Sequence, residues 1–333
     1  MSPTFSDSPR RRVLAATVAA LLASLLLAAP AMAQTWPEAS KPVRIVVGFP
    51  PGGGVDLLAR VVANGLAQEI GGTVIVDNRP GAGGLTATDL VAKSAADGYT
   101  LYLATPGSFT IWPSLRKLNY DAGKDFAAVS LMVTMPNLLL TGVTTPYKDV
   151  AGLLAAARVP GARIDYASGG VGTIGQIAAE QLNTMAGVHL SHVPYKGTAP
   201  MLTDLIGGVV PVTFSDPSAK SQIDAGKLRL LAVTTPKRSR LFPNTPTMAE
   251  AGVPGYDLMN WYGMVAPAAT PPDIVARLNA GLVKVMAQPD VRQRLEAAGM
   301  EATSSTPEQF RQLMAAERAK WAALIAKAGI VAE

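Results

Sequence analysis

The chain has 333 residues with 29 basic and 24 acidic side chains, two histidines and no cysteine, for a formal charge of +5. Without cysteine there are no disulfides, thiol nucleophiles, thiolate metal ligands or lipid-modified N-terminal cysteine. The basic residues are scattered, and their densest group, Lys237-Arg238-Ser239-Arg240, lies among prolines as a solvated loop, so nucleic acid is not an expected partner.

In chain order the first element is an export leader. Arg10, Arg11 and Arg12 precede an apolar run from Val13 to Ala29, followed by Pro30 and Ala31-Met32-Ala33. A basic start, an apolar run shorter than the about 20 residues of a membrane span, and an A-x-A site predict a signal peptide over 1–33 cleaved after Ala33. The paired arginines leave both the general and the twin-arginine export routes open. Cleavage removes Asp7 and the three arginines, so the formal charge falls from +5 to +3. The mature chain from Gln34 is expected to be soluble outside the cytoplasm and long enough for one large or two ordinary domains.

Past the leader, Val43, Ile45 and Val47 form a β-branched run, and Val55, Leu58, Ala59, Val62 and Leu66 recur at helical spacing. The intervening Gly52-Gly53-Gly54 therefore joins a buried strand to a helix, whose free N–H groups and positive dipole end suit an anion. Further strands are predicted near 73–77, 99–104, 138–142, 164–167, 190–195, 209–215 and 228–234. Helices are predicted near 55–69, 84–95, 147–157, 173–186, 198–206, 217–225, 272–286 and 307–328. This alternation implies an α/β class with mostly parallel sheets. No internal repeat is convincing, although "PPGGG" and "GGVGT" are similar glycine turns after two strands.

Spacing tests what the glycine turns hold. No Gly-Lys pair follows Gly52, Gly53 or Gly54 at the P-loop distance. Gly170-Val-Gly172-Thr-Ile-Gly175 satisfies the letters of a dinucleotide fingerprint, but no acid lies between Glu180 and Asp204 to take the ribose hydroxyls, and Lys196 keeps only a phosphorylated cofactor in view. There is no G-x-S-x-G or H-E-x-x-H motif, and His189 and His192 are spaced to point to opposite faces of a strand, which gives no metal site. No catalytic set emerges. The remaining signal is a group of polar or glycine-rich loops at strand C-terminal ends, where open α/β sheets bind ligands: Phe49 to Gly54, Thr105 to Ser108, Ser168 to Thr173, and Ser215-Asp216. An exported α/β chain with anion-ready helix starts and no catalytic set reads as a binding protein for a small anionic solute, not an enzyme, with no cofactor and no metal.

The segments "RIVVGFPPGGGVDLLAR", "VIVDNRPGAGG", "VAKSAADGYTLYLAT", "YASGGVGTIGQIAAEQLNTMAGVHLSHVPYKGTAPMLTDLIGG", "AGKLRLLAVTTPKRS", "PTMAEAGVPGY" and "WYGMVAPAATP" resemble, in order and across the mature chain, the tripartite tricarboxylate transporter receptor or Bug family. The resemblance implies a periplasmic two-lobe, Venus-flytrap (type II) binding protein whose chain crosses twice between lobes, with lobe 1 at 34–133 plus 237–333 and lobe 2 at 134–236. It implies a ligand carboxylate held by Phe49, Pro51, Gly52, Gly53, Thr105, Ser108, Ser168, Gly172 and Thr173, with Phe49 walling the cleft. Pro51 has no N–H, which makes Gly52 and Gly53 the better donors. Asp216 matches an acid of the family's "FD" turn through an extra Ser215, and two roles stand open for it: orienting water or meeting an amino group. Asp56 is expected to stabilise its own helix start, and Trp261 and Tyr262 either line the cleft or pack in the core. Expected partners are a small organic acid and the membrane subunits of a tripartite tricarboxylate-type transporter. The alternatives are a membrane sensor as partner, or a secreted enzyme with a nucleotide-type cofactor at Gly170 to Gly175.

Overall fold

The computed structural model describes residues 36–328 and 330, so the leader at 1–33 and its cleavage site lie outside the described residues. Two sheets carry the fold. The first has six strands in the order β11-β4-β10-β3-β1-β2: β1 (Val43–Val47), β2 (Val74–Asn78), β3 (Thr100–Ala104), β4 (Phe126–Pro136), β10 (Met259–Pro267) and β11 (Glu301–Ala302). The second has five, in the order β7-β6-β8-β5-β9: β5 (Leu138–Gly142), β6 (Ile164–Ser168), β7 (Leu190–Pro194), β8 (Val212–Ser215) and β9 (Leu228–Val233).

The two sheets repeat one plan. β1 pairs in parallel with β2 and β3, and β6 pairs in parallel with β7 and β8. Each parallel trio is then extended by antiparallel strands, β10 and β4 in the first sheet and β5 and β9 in the second. This corrects the expectation of mostly parallel sheets. The two glycine turns singled out in the sequence occupy the same place in the two plans, after the first strand of each parallel trio. The shared plan lives in topology, which self-similarity of letters does not reveal.

Helix α1 (Gly54–Ile70) buries Val55, Leu58, Ala59, Val62 and Leu66 against β1 in the core of the first sheet, the stripe read from the sequence. It packs on α8 (Pro272–Ala287), where Gly65 meets Val285 so closely that a Cβ would lie 2.8 Å from a methyl carbon. The other helices are α2 (Leu85–Ala92), α3 (Trp112–Leu115), α4 (Val150–Ala157), α5 (Ile174–Ala186), α6 (Thr198–Ile206), α7 (Lys220–Asp224), α9 (Pro289–Ala297) and α10 (Pro307–Ala328). A π-turn over Gly107–Ile111 leads into α3 in a stretch expected to be loop. Among the described residues no helix is long and apolar enough to cross a membrane.

The chain passes between the sheets twice, and the two passages are tied together. Asn137 links β4 to β5; its N–H donates to Thr234 Oγ1 at 2.8 Å, and Thr234 N–H donates to the Asn137 carbonyl at 3.0 Å. Thr234 follows β9, and its hydroxyl donates to the Leu258 carbonyl at 2.9 Å just before β10. Between them, Met248, Val253, Tyr256 and Leu258 join the core of the second sheet.

Candidate functional site

A cavity, partly open at its mouth, lies between the sheets and is walled from both. Three helix starts converge on it. Gly53, Gly54 and Val55 begin α1, Thr173, Ile174 and Gly175 begin α5, and Gly197, Thr198 and Ala199 begin α6. The first N–H groups of a helix have no intrahelical acceptor, and each dipole end is worth about half a positive charge. At the α6 start a side chain would narrow the gap to the first loop. A Cβ on Gly197, where φ is +141°, would sit 3.0 Å from Pro50 Cδ.

Three buried polar atoms on the cavity wall have no hydrogen-bond partner among the described residues: Thr105 Oγ1, Asn137 Nδ2 and Ser215 Oγ. The orientation of Asn137 is set by its neighbours. Trp261 N–H donates to Asn260 Oδ1 at 2.8 Å, which turns Asn260 Nδ2 toward Asn137 Oδ1 at 3.1 Å. That leaves the Asn137 NH₂ as a donor for whatever occupies the cavity. Leaving such groups unpaired costs about 1–3 kcal/mol each, so this wall is complementary to a polar guest.

Asp216 is the other polar presence. Its Oδ1 accepts the Ser218 N–H at 2.9 Å, capping a short 3₁₀ turn, and its Oδ2 accepts the Tyr262 hydroxyl at 2.9 Å. Burial, followed by the adjacent Asp216 charge, pushes the Tyr262 phenol well above its usual pKa, so it remains a donor. Tyr262 thus lines the cleft, whereas Trp261 packs edge-on against Phe310 at 5.3 Å in the core.

Of the residues expected from the sequence, Phe49, Gly53, Thr105, Thr173 and Asp216 stand on the wall. Pro51, Gly52, Ser108, Ser168 and Gly172 do not, and polar atoms of the last four are engaged elsewhere. Gly52 N–H donates to Asp56 Oδ2 at 3.1 Å, and Gly172 N–H donates to Gln176 Oε1 at 2.7 Å. Ser108 Oγ pairs with the Tyr102 hydroxyl at 3.3 Å, and Ser168 Oγ lies 2.6 Å from His192 Nε2. Ser108, Ser168 and Gly172 are buried behind the loops, whereas Pro51 and Gly52 are exposed and a Cβ on Gly52 would lie 3.9 Å from Ala199 Cβ. Thr173 is on the wall, but its hydroxyl proton goes to the Gly170 carbonyl at 2.7 Å, leaving only its lone pairs for a guest. Sequence reasoning missed Asn137, Asn260, Gly197 and Thr198. The signal for Asn137 is a lone amide between two apolar strands, "VTMPNLLLTG".

Asp56 anchors the first loop as its place in the first turn of α1 suggested. Burial works to raise its pKa, but hydrogen bonds from Arg60, the Gly52 N–H and Asn78 outweigh this and hold the carboxyl below its usual value. His192 stacks on Tyr166 at 4.9 Å, and burial lowers its pKa to about 4, so the ring is neutral. Among the described residues no group of histidines and carboxylates is arranged to hold a metal ion.

The lobes are pressed together around the cavity. A Cβ on Gly83 would lie 2.6 Å from the Val171 carbonyl oxygen, and one on Gly107 2.9 Å from the Gly172 oxygen. Gly172, at φ +70°, leaves room for the Trp112 indole, which a Cβ would meet at 2.2 Å.

Known proteins share this architecture. A family model described as the tripartite tricarboxylate transporter family receptor matches residues 58–330. Protein BugT of Bordetella pertussis is 34% identical over 322 residues, covering 95% of this chain and 97% of its own. The solved structure of R. palustris Rpa4515 with adipate has 38% identity and a TM-score of 0.85, covering 89% of this chain and 99% of that one. That of MatC (Rpa3494) from Rhodopseudomonas palustris with bound malate has 32% identity and a TM-score of 0.81, with coverage of 86% and 99%. With two lobes of the same plan, two crossovers and a cleft built from helix starts, this chain belongs to the tripartite tricarboxylate transporter receptor family, the Bug proteins.

Proposed function

We propose that the chain is a periplasmic receptor that captures a small organic carboxylate in the cleft between its lobes and delivers it to the membrane subunits of a tripartite tricarboxylate-type transporter. The observation that carries this reading is the convergence of three helix N-termini on a cavity with unpartnered donors and no Lys, Arg or His on its wall. Such a site grips a carboxylate through backbone dipoles and neutral donors. The printed ligands of the two solved relatives, adipate and malate, are of the same class.

The reading includes export with cleavage after Ala33 and lobes at 34–133 plus 237–333 and 134–236. The tied crossovers support a first boundary near Asn137 and a second between Thr234 and Leu258, since Met248, Val253, Tyr256 and Leu258 pack in the core of the second sheet. The ligand contacts are assigned to the wall residues Phe49, Gly53, Thr105, Thr173 and Asp216, joined by Asn137, Ser215 and Thr198. Thermal denaturation of the mature chain against a panel of organic acids tests it. A cognate acid at 1,000 times its dissociation constant stabilises the fold by about 4 kcal/mol. A saturable shift with NADPH and none with any organic acid would overturn it.

A further inference from the structure

His192 is held where it reaches the second glycine turn. Parallel pairing sets it beside Tyr166, and Tyr166 and Ser168, two residues apart on β6, point to the same face of the sheet. The imidazole stacks on the Tyr166 ring, and the Tyr166 hydroxyl donates to Glu180 Oε1 on α5 at 2.7 Å, which fixes that ring in place. From there Nε2 lies 2.6 Å from Oγ of the fully buried Ser168. Ser168 Oγ in turn faces both polar groups of Gly170, accepting its N–H at 3.2 Å and lying 3.0 Å from its carbonyl oxygen. The same carbonyl takes the Thr173 hydroxyl at 2.7 Å and the Thr173 N–H at 3.3 Å. A chain of hydrogen bonds therefore runs from His192 through Ser168 and Gly170 to Thr173 on the cavity wall.

The protons of this chain fit two complete arrangements. A hydroxyl has one proton, a carbonyl has two lone pairs, and a neutral imidazole has one bare nitrogen and one N–H. In the first arrangement Nε2 is bare and accepts the Ser168 proton, while the Gly170 carbonyl is filled by the two donors of Thr173. In the second, Nε2 carries the ring proton and donates to Ser168 Oγ, whose own proton turns to the Gly170 carbonyl. That carbonyl then holds Ser168 and the Thr173 N–H, and the Thr173 hydroxyl proton is released to the cleft. The two hydroxyls only rotate, and the ring loses a proton at Nδ1 and gains one at Nε2 through solvent, with no change of charge. Mixed arrangements set two protons, or none, between His192 and Ser168 and are disfavoured in a buried site. What differs at the wall is Thr173, which shows a ligand its lone pairs in the first arrangement and a donor in the second. A carboxylate oxygen is an acceptor alone, so only the second suits it.

We propose that Ser168 and His192 form a relay behind the cleft: a ligand carboxylate draws the Thr173 hydroxyl proton outward, Ser168 takes its place on Gly170, and His192 changes tautomer from Nδ1–H to Nε2–H. His192 is thereby a positioning residue for binding that touches no ligand. The inference rests on the carboxylate-receptor reading and adds to it a side chain outside the cavity.

The chain has only two histidines, and His189 is exposed, so nitrogen NMR of the isotope-labelled mature chain contains one ring that reports on the relay and one internal control. Spectra are recorded near neutral pH, where His192 is uncharged, without ligand and with saturating adipate, malate or whichever acid of a wider organic-acid panel binds tightest by calorimetry. Expected is a bare Nε2 in the free protein and a protonated Nε2 in the complex, with His189 unchanged. In Thr173→Val the Gly170 carbonyl has lost a donor, so the Nε2–H form is expected with and without ligand, and affinity falls by about tenfold or more, the scale of one hydrogen bond to a charged oxygen. In Ser168→Ala the ring has lost its partner, and its tautomer no longer responds to ligand. Binding with no tautomer change in the wild type, or a ligand-induced change that persists in either variant, overturns the relay and leaves the receptor reading intact. Failure of every acid to bind overturns both.

Discussion

Thr105 shows how a single side chain can serve the site without serving the fold. Its hydroxyl is buried, faces the cavity and bonds to nothing in the protein, so Thr105→Val removes only a ligand contact. Calorimetry of that variant is expected to show binding weakened by about 0.5–1.5 kcal/mol for a neutral partner or 1.5–3 for a charged oxygen, while the melting temperature without ligand holds or rises because an unpaired buried hydroxyl is removed. Thr173→Val, by contrast, breaks the bond to the Gly170 carbonyl and loosens a loop. His192 supplies a pH signature. Its pKa is depressed from 6.5 to about 4, so the unfolded chain binds the proton first, and its contribution to stability is full above pH 6.5 and lost as pH falls toward 4. Melting temperature against pH is therefore expected to be flatter over that window in His192→Gln. At this scale the legible residues were those in loops directly after a strand, such as Gly53, Thr105 and Asp216. Ser108 and Ser168 lie off the wall because the groups that engage their hydroxyls, Tyr102 and His192, are brought there by sheet pairing and packing that loop composition does not encode.

Among the elements, α1 couples stability to binding at its first turn. Asp56 holds the Gly52 N–H, the Arg60 guanidinium and the Asn78 amide, and Asn78 also donates to the Phe49 carbonyl at 3.1 Å. Asp56→Asn is expected to lower unfolding stability by about 1–3 kcal/mol and to weaken the ligand by disordering the Phe49–Gly53 loop, measured by urea denaturation and calorimetry together. The carboxyl's pKa is lowered in the fold, so its contribution is present above its ordinary value of 3.8 and disappears as pH falls through the lowered one. Elements with clear periodicity, α1, α5, α6, α8 and α10, were read from the sequence almost to their ends. The central strands β4 and β10 were not. β10 is buried at every position but its first and breaks register at two bulges, so it shows no alternation of apolar and polar residues. It also contains Gly263, whose missing Cβ makes room for the Phe310 ring at 2.2 Å. A glycine in a strand reads as a break in sequence, and here it is a packing requirement.

For the whole molecule, the two sides meet beside the cleft, where Gly83, Gly107 and Trp112 of one abut Val171 and Gly172 of the other. Gly172→Ala both strains a left-handed backbone and drives a methyl into Trp112. Small-angle scattering is expected to show that ligand compacts the wild type and fails to compact this variant, whose affinity drops and whose melting temperature without ligand also falls, because the strain is present in the unliganded fold. Equal compaction in both would place the closing contact elsewhere. The two-lobe design was legible only through the family resemblance, since the pattern of strands and glycine turns leaves one or two domains open. The matching strand orders were not, because each sheet is completed by strands from the far side of a crossover.

The cross-tied crossovers carry one last consequence. Asn137 touches the cavity through its side chain and the second crossover through its backbone, while Thr234 binds both Asn137 and Leu258. The pivot and the sensor are therefore the same residue, and the lobes have little freedom to slide past one another without breaking these bonds. Motion is reduced to something near a single angle. Cargo as different as the cleft admits is thereby converted into one mechanical variable, and a membrane partner can register occupancy from the outer faces alone, without ever inspecting what is carried.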